Sequence, residues 1–361
     1  MPKWDVIVVG GGIWGLSCAH ACARRGQSVA VFDSGAIGQG ASGGVMGAMS
    51  PHAPEGWNAM KQFQFDALLS AETFWAGIDA VSGLRSGYGR IGRVMPITSV
   101  RGRVLAEERA VNVGTLWQDK YRWSVLENHP LISDDNAPFG VTYDTLSARM
   151  YPAHAVASLA GACRLSGVKI FENRPVTRLE SGIVQGDWGE AFARAIILAG
   201  GREGFTLLDT HMDRVTGTGV KGQAALLACD LGDAPQLYAN GVYVIPHEGG
   251  VTAVGSTAEK TWGAPDCVDE KLEEVIAKAR MIFPALGQAP VLKRWAGLRP
   301  KARRRYPMLG PVPGLNGIFS AMGAYTIGFG IAHKVGEVLA AFAAGGTYDL
   351  PKNFTVNWHM E

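Results

Sequence analysis

The sequence predicts an α/β protein of two domains, and three observations carry that expectation. The chain opens on a β-branched run, Val6 to Val9, the pattern of a strand buried on both faces. Gly10-x-Gly12-x-x-Gly15 follows at once, then an apolar helical stretch from Leu16 to Ala23 and a second strand, Ser28 to Phe32, ending on Asp33. Finally, a length of 361 residues exceeds the usual size of a single domain.

Each part of the opening stretch has a physical use. The first glycine permits a tight turn, the second lets a pyrophosphate approach the backbone, and the third lets helix and strand pack closely. The helix N-terminus offers free N–H groups and the positive end of its dipole to phosphates. Asp33 stands where an acid can accept ribose hydroxyls. Strand, glycines, helix, strand and acid in this order specify a Rossmann-like dinucleotide-binding domain. The same glycine spacing recurs at Gly217-Thr-Gly219-Val-Lys-Gly222. No apolar strand precedes it and no acid ends a following strand at the right distance, so a separate nicotinamide site is not expected.

Composition narrows the class. A net charge of +2 gives no reason to expect nucleic acid or an acidic surface partner. The five cysteines, Cys18, Cys22, Cys163, Cys229 and Cys267, form no Cys-x-x-Cys pair and read as small core residues in a reducing compartment. No secretory signal fits before a strand that starts at Asp5, and no stretch approaches the ~20 apolar residues of a membrane helix. A cytoplasmic protein without a membrane span is expected. The eight histidines form no metal-spaced or nucleophile-activating set, so no metal site and no catalytic histidine are assigned.

Beyond Asp33, the stretch Gly38 to Pro54 is crowded with glycine and alanine, as expected where backbone packs directly on a flat ligand. Helical periodicity runs from Met60 to Ile78; Gly87 to Leu105 alternates as short strands, and Glu107 to Trp117 reads as a helix. The polar, proline-marked stretch Asn128 to Asn136 reads as a crossing between domains. Ala153 to Leu165 is a helix stopped by Gly167, followed by strands at Val168 to Phe171, Ile183 to Trp188 and Ala195 to Leu198. Gly241 to Gly255 reads as a hairpin, and Asp269 to Phe283 as a helix with acids in its first turns. A last helix spans about Gly330 to Ala344 before Gly345-Gly346. Strands of the nucleotide domain returning this late imply a discontinuous domain: residues 1–60, 145–212 and 300–345 bind the dinucleotide, 61–144 and 213–299 form a substrate domain, and 346–361 is a C-terminal tail.

The N-terminal fingerprint, Gly40-Ala-Ser-Gly-Gly44, Trp295-Ala-Gly-Leu-Arg-Pro300 and Gly310-Pro-Val-Pro-Gly314 together resemble FAD-dependent amine and amino-acid oxidoreductases of the D-amino acid oxidase family, glycine oxidase type. The resemblance runs from Asp5 to about Leu339 and is loose between Trp57 and Ser147. It implies an FAD-binding Rossmann-like domain of glutathione-reductase type, with an interleaved α+β substrate domain built on an antiparallel sheet. It also implies non-covalently bound FAD. Gly10, Gly12, Ile13, Trp14 and Gly15 then hold the pyrophosphate, and Asp33 with Ser34 the adenosine ribose. Ser42, Gly43 and Gly44 follow the pyrophosphate and ribityl chain, and Met46, Gly47 and Ala48 meet the flavin. Val176 meets the adenine, Gly200 matches the family's second glycine strand end, and Ile327 and Gly328 belong to the segment Gly323 to Gly330 beneath the flavin. His52 lies near the expected flavin, though no recognised covalent attachment motif is present.

The resemblance further implies that Arg299 binds a substrate carboxylate and that the Tyr243 hydroxyl meets the substrate. Arg299 stands in an otherwise apolar run, and its planar fork suits a carboxylate. Thr326 departs from the pattern, because glycine oxidases carry arginine there; Arg303, Arg304 and Arg305 read as a solvated basic strand or turn, with contact to a larger anionic substrate as the alternative. The expected activity is oxidation of the C–N bond of an amino acid or secondary amine carrying a carboxylate (glycine, sarcosine or D-amino acid class) to an imine that hydrolyses. Oxygen or another electron acceptor completes turnover, and no protein base is required. Two alternatives stay open: a quinone- or partner-linked dehydrogenase of an opine- or imino-acid-like substrate, and a non-catalytic flavoprotein subunit. Homo-oligomer or partner subunit also stays open.

Overall fold

In the computed structural model, which describes residues 4–361, two large sheets meet across a cleft. The first is built on the N-terminal strand, Trp4–Val9, which pairs in parallel with Val29–Phe32 on one side and Gly189–Leu198 on the other. Lys169–Phe171 and Ile318–Met322 extend it in parallel, and Met308–Pro311 closes one edge antiparallel. Val6, Ile7, Val8 and Val31 are fully buried, as the unbroken β-branched runs require of strands covered on both faces. The helices Ile13–Ala23, Pro152–Leu165 and Gly328–Ala343 cover one face. The helix Gly204–Met212 covers the other.

The second sheet runs in the order Val291–Ala302, Gly217–Leu227, Val251–Gly255, Val242–His247, Gln236–Ala239, Arg93–Pro96, Val141–Asp144, Trp123–Leu126. Its neighbours are antiparallel except Gln236–Ala239 against Arg93–Pro96, which run parallel. The helix Glu270–Ile282 packs its Leu272, Ile276, Ala279 and Ile282 onto one face; Asp269 caps it by accepting from the Lys271 N–H. The other face looks into the cleft. The second glycine fingerprint lies within the strand Gly217–Leu227 of this sheet, with no strand–turn–helix around it.

Several sequence expectations need correction. Val100 to Leu105 is not strand: it is the start of a helix, Val100–Leu116, capped by Ser99, whose hydroxyl accepts from the Gly102 N–H. The cap overrides the apparent alternation, because it satisfies a first-turn donor that a strand would leave to a partner. Asn128 to Asn136 does not cross between domains; it joins Trp123–Leu126 to Val141–Asp144, neighbours in one sheet. Cys18, Cys22 and Cys163 are core residues, whereas Cys229 is half-buried and Cys267 exposed. The last residues carry a short helix, Val356–Met360, and bury Phe354 and His359 against the first sheet's side.

Candidate active site

A cavity of about 970 Å³ opens between the two sheets, and most of the residues singled out from the sequence line it. The fingerprint turn contributes Gly10, Gly12, Ile13 and Trp14, and the end of the second strand contributes Asp33 and Ser34. The glycine-rich stretch contributes Ser42, Gly44, Met46, Gly47 and Ala48. Val176, Gly200, Ile327 and Gly328 complete that half of the wall, while Arg299 and Tyr243 come from the second sheet. Gly15 and Gly43 do not line the cavity. Each faces backbone: a Cβ on Gly15 would lie 1.9 Å from the Gly10 carbonyl oxygen, and one on Gly43 2.0 Å from that of Gly38.

The fingerprint turn is held open by its own geometry. Gly10 has φ +105°, and a Cβ there would come within 2.4 Å of the Ala199 carbonyl oxygen. No other residue serves at this point. The first turn of the helix Ile13–Ala23 aims at the cavity, and the Ser42 hydroxyl accepts from the Ile13 N–H at 3.1 Å, docking the glycine-rich loop onto that helix end. Asp33 accepts from the Gly11 and Gly35 N–H groups at 2.6 and 2.9 Å, which fixes its carboxylate at the cavity wall. Trp14 Nε1 donates to the Gly328 carbonyl at 2.8 Å and so ties the first helix to the start of the last long one.

At the far end the wall turns polar and cationic. Arg299 pairs with Val220 across two strands, and its guanidinium turns into the cavity. It donates to the Ser256 hydroxyl and the Lys221 carbonyl, both at 3.3 Å, and to the Thr257 carbonyl. Its Nε is buried without a partner, and no carboxylate stands within ion-pair distance among the described residues. The nearby Glu259 is engaged by Lys271 at 2.8 Å and by Gln223 and Thr257. Burial lowers the guanidinium's pKa from its ordinary value, with Tyr325 and Glu259 opposing that shift. A half-buried positive charge surrounded by neutral acceptors costs free energy unless an anion arrives.

Arg93, which sequence reasoning missed, lines the same end. It is buried and donates from Nε to Asp144 at 3.0 Å, with a further contact to the Pro51 carbonyl. Asp144 lies 51 positions away on a neighbouring strand, so no local pattern could reveal the pair. Arg93 also sits against Tyr243, whose ring tilts over that of Tyr238 with centroids 4.3 Å apart. The basic run after Arg299 divides three ways. Arg303 donates to the His359 carbonyl, Arg304 lies over the Trp358 ring, and Arg305 lines the cavity mouth beside Tyr325. Arg303 and Arg305 are exposed, as expected of a solvated basic turn, whereas Arg304 is half-buried. Thr326 also lines the cavity.

Residues 5–342 match the model of a family described as FAD dependent oxidoreductase. The chain belongs to this family. It is therefore an enzyme, and FAD is its cofactor. Glycine oxidase from Bacillus licheniformis is 27% identical over 357 residues, covering 95% of this chain and 94% of that protein. Glycine oxidase from Pseudomonas putida is 28% identical, covering 91% of each. Among solved structures, glycine oxidase from Geobacillus kaustophilus superposes with a TM-score of 0.86 at 21% identity, covering 99% of both chains. Iminodiacetate oxidase from Chelativorans sp. BNC1 gives 0.81 at 22%, covering 97% of this chain and 98% of the other. These likenesses show that the fold is that of the glycine oxidases, with an FAD-binding Rossmann-like domain.

The residues present fit that cofactor. A Cβ-free turn meets a helix N-terminus, the arrangement a pyrophosphate needs. A fixed carboxylate at the end of the second strand suits a ribose. Gly44, Met46, Gly47 and Ala48 line the cavity beside these groups. Among the described residues, no group of three or more His, Cys, Asp or Glu side chains is arranged to hold a metal, and no helix is long and apolar enough to cross a membrane.

Proposed function

We propose that this FAD enzyme oxidises the C–N bond of an amino acid or secondary amine that carries a carboxylate, giving an imine that hydrolyses in water. The glycine, sarcosine and D-amino acid class is the substrate range of this reading. The observation that carries this reading is Arg299: a half-buried guanidinium, donating only to neutral oxygens, at the end of the FAD cavity. A substrate carboxylate supplies the missing counter-charge and takes the fork in two-pronged fashion.

Each part of the wall then has a task. Gly10, Gly12, Ile13, Trp14 and Ser42 hold the pyrophosphate, Asp33 and Ser34 the ribose, and Val176 the adenine. Gly44, Met46, Gly47 and Ala48 lie along the ribityl chain and ring, and Ile327 and Gly328 lie beneath it, with attachment non-covalent. FAD held by these residues would supply the two-electron hydride acceptor that the oxidation needs. Arg299 anchors the carboxylate, Tyr243 donates its hydroxyl to the substrate, and the Tyr238 and Trp295 rings exclude water. Only the neutral amine can release hydride from the adjacent carbon, since its lone pair forms the imine.

A second reading, an opine- or imino-acid-like substrate with an acceptor other than oxygen, draws support from Thr326 and Arg305. Both line the cavity, so a short side chain and a free cation stand where a larger, more anionic substrate would extend. Anaerobic mixing of the purified enzyme with glycine, sarcosine, D-amino acids, imino acids and opines tests both readings. Loss of flavin absorbance identifies the substrate class, and reoxidation in air against reoxidation by a dye identifies the acceptor. A flavin that no carboxylate-bearing amine bleaches overturns the proposal.

A further inference from the structure

His52 lies at the substrate end of the cavity, on the loop whose Pro51 carbonyl accepts from Arg93. Its ring is fixed in one tautomer by Gln64, a buried side chain on the neighbouring helix Ala59–Ser82. The Gln64 amide nitrogen donates to the Ser50 carbonyl at 3.1 Å, and its oxygen accepts from the His52 backbone N–H at 2.9 Å. That oxygen also faces His52 Nδ1 at 2.5 Å, so Nδ1 must carry the proton. Nε2 is then the bare nitrogen. It has no hydrogen-bond partner among the described residues, yet it is not sealed in the core as the unpaired Nδ1 atoms of His247, His333 and His359 are.

Resting on the amine-oxidation reading above, we propose that His52 Nε2 is the acceptor for the substrate's amino group, taking one proton from the incoming ammonium. The N–H bond of the ammonium breaks, its electron pair stays on the substrate nitrogen as the lone pair that imine formation needs, and a new N–H bond forms at Nε2. The resulting imidazolium passes the proton to water through the cavity mouth. No redox partner is needed for this step.

The surroundings favour it. Burial holds His52 below its ordinary pKa near 6.5; the Gln64 hydrogen bond opposes that shift, and Lys61, Arg93 and Arg305 reinforce it. Lys61 is itself tied to the Ala53 and Glu55 carbonyls, Glu55 is paired with Arg109, and Arg93 with Asp144. Tyr243 faces the same space from the second sheet. The ring is thus neutral and able to accept at pH 7.

The test is the pH profile of anaerobic flavin reduction by the best amine, for wild type, His52→Gln and Gln64→Glu holoenzymes. Wild-type kcat/KM should rise through the His52 titration below pH 6.5 and stay flat until the substrate's own ammonium titrates. In His52→Gln, which keeps an acceptor but cannot bind a proton, it should rise tenfold per pH unit, about 100-fold below wild type at pH 7 and within a few-fold above pH 9. Gln64→Glu should move the wild-type acid limb upward, because a carboxylate on Nδ1–H stabilises the imidazolium. Histidine ring 15N spectra, differenced against His52→Gln, should show Nε2 bare at pH 7.5. A deficit equal at every pH, or a protonated Nε2, overturns the proposal while leaving amine oxidation intact. Failure of every amine to reduce the flavin overturns both.

Discussion

Replacing Arg299 by lysine keeps the positive charge and removes the fork. In the structure one face of the guanidinium is already spent on the Lys221 and Thr257 carbonyls and the Ser256 hydroxyl. A lysine ammonium, with three donors on a flexible stem, satisfies those oxygens and has no planar edge left for a carboxylate. Losing one charge-assisted, two-pronged contact in a site with little water costs about 2–4 kcal/mol of transition-state binding. The corresponding drop in kcat/KM is roughly 30- to 1,000-fold. Steady-state kinetics on the best substrate read this directly, with flavin content and thermal unfolding measured beside it. Both should stay near wild type, because Arg299 lines the end of the cavity away from Gly10 and Asp33. Loss of FAD or of the fold in Arg299→Lys would refute the reasoning and make the residue structural.

Further outcomes follow from other parts of the molecule. Gly10→Ala should yield a protein without bound flavin, since its Cβ would lie 2.4 Å from the Ala199 carbonyl oxygen; absorbance of the purified protein checks it. Arg93→Met leaves the buried Asp144 carboxylate with little beyond the Ser147 N–H and should cost ~3–5 kcal/mol, whereas Arg93→Met with Asp144→Leu should recover much of that in thermal unfolding. His20, His247, His333 and His359 are each held down to about 4, first of all by burial. They stay neutral in the folded chain while the unfolded chain takes up protons below about 6.5. Stability held above pH 6.5 is therefore lost as pH falls toward 4, at up to ~1.4 kcal/mol per pH unit for each, and Tm should fall across that window. A flat Tm from pH 7 to pH 4.5 would contradict it.

What the sequence made legible was local. Val6 to Asp33 could be read outright because strand, turn, helix and acid follow one another without interruption, and the constraint at Gly10 is a property of the turn itself. The helix Glu270–Ile282 was equally plain from the acids in its first turns, though Asp269 is its cap and not its first residue. The helix from Val100 was hidden because its apolar positions are sparse and exposed, with Val100, Val104 and Val111 all facing solvent. Ser99 was the signal that could have found it. At the cationic end of the cavity, Arg299 and Tyr243 were singled out from the sequence and Arg93 was not. Arg93 gains its meaning from Asp144, and Arg305 from Tyr325; these are partners brought together by sheet register and chain return. His52 is a nearer case, twelve residues from Gln64, yet only the hydrogen bond to Ser50 reveals which nitrogen is bare.

The central claim is that the cavity pairs FAD with an amine whose carboxylate neutralises Arg299. The measurement that tests it most directly compares anaerobic flavin reduction by the wild-type enzyme with the best carboxylate-bearing amine and with the same amine lacking the carboxylate. The account predicts rapid bleaching by the first and at least a 30-fold lower second-order rate constant for the second. Equal rates for the two amines would contradict it.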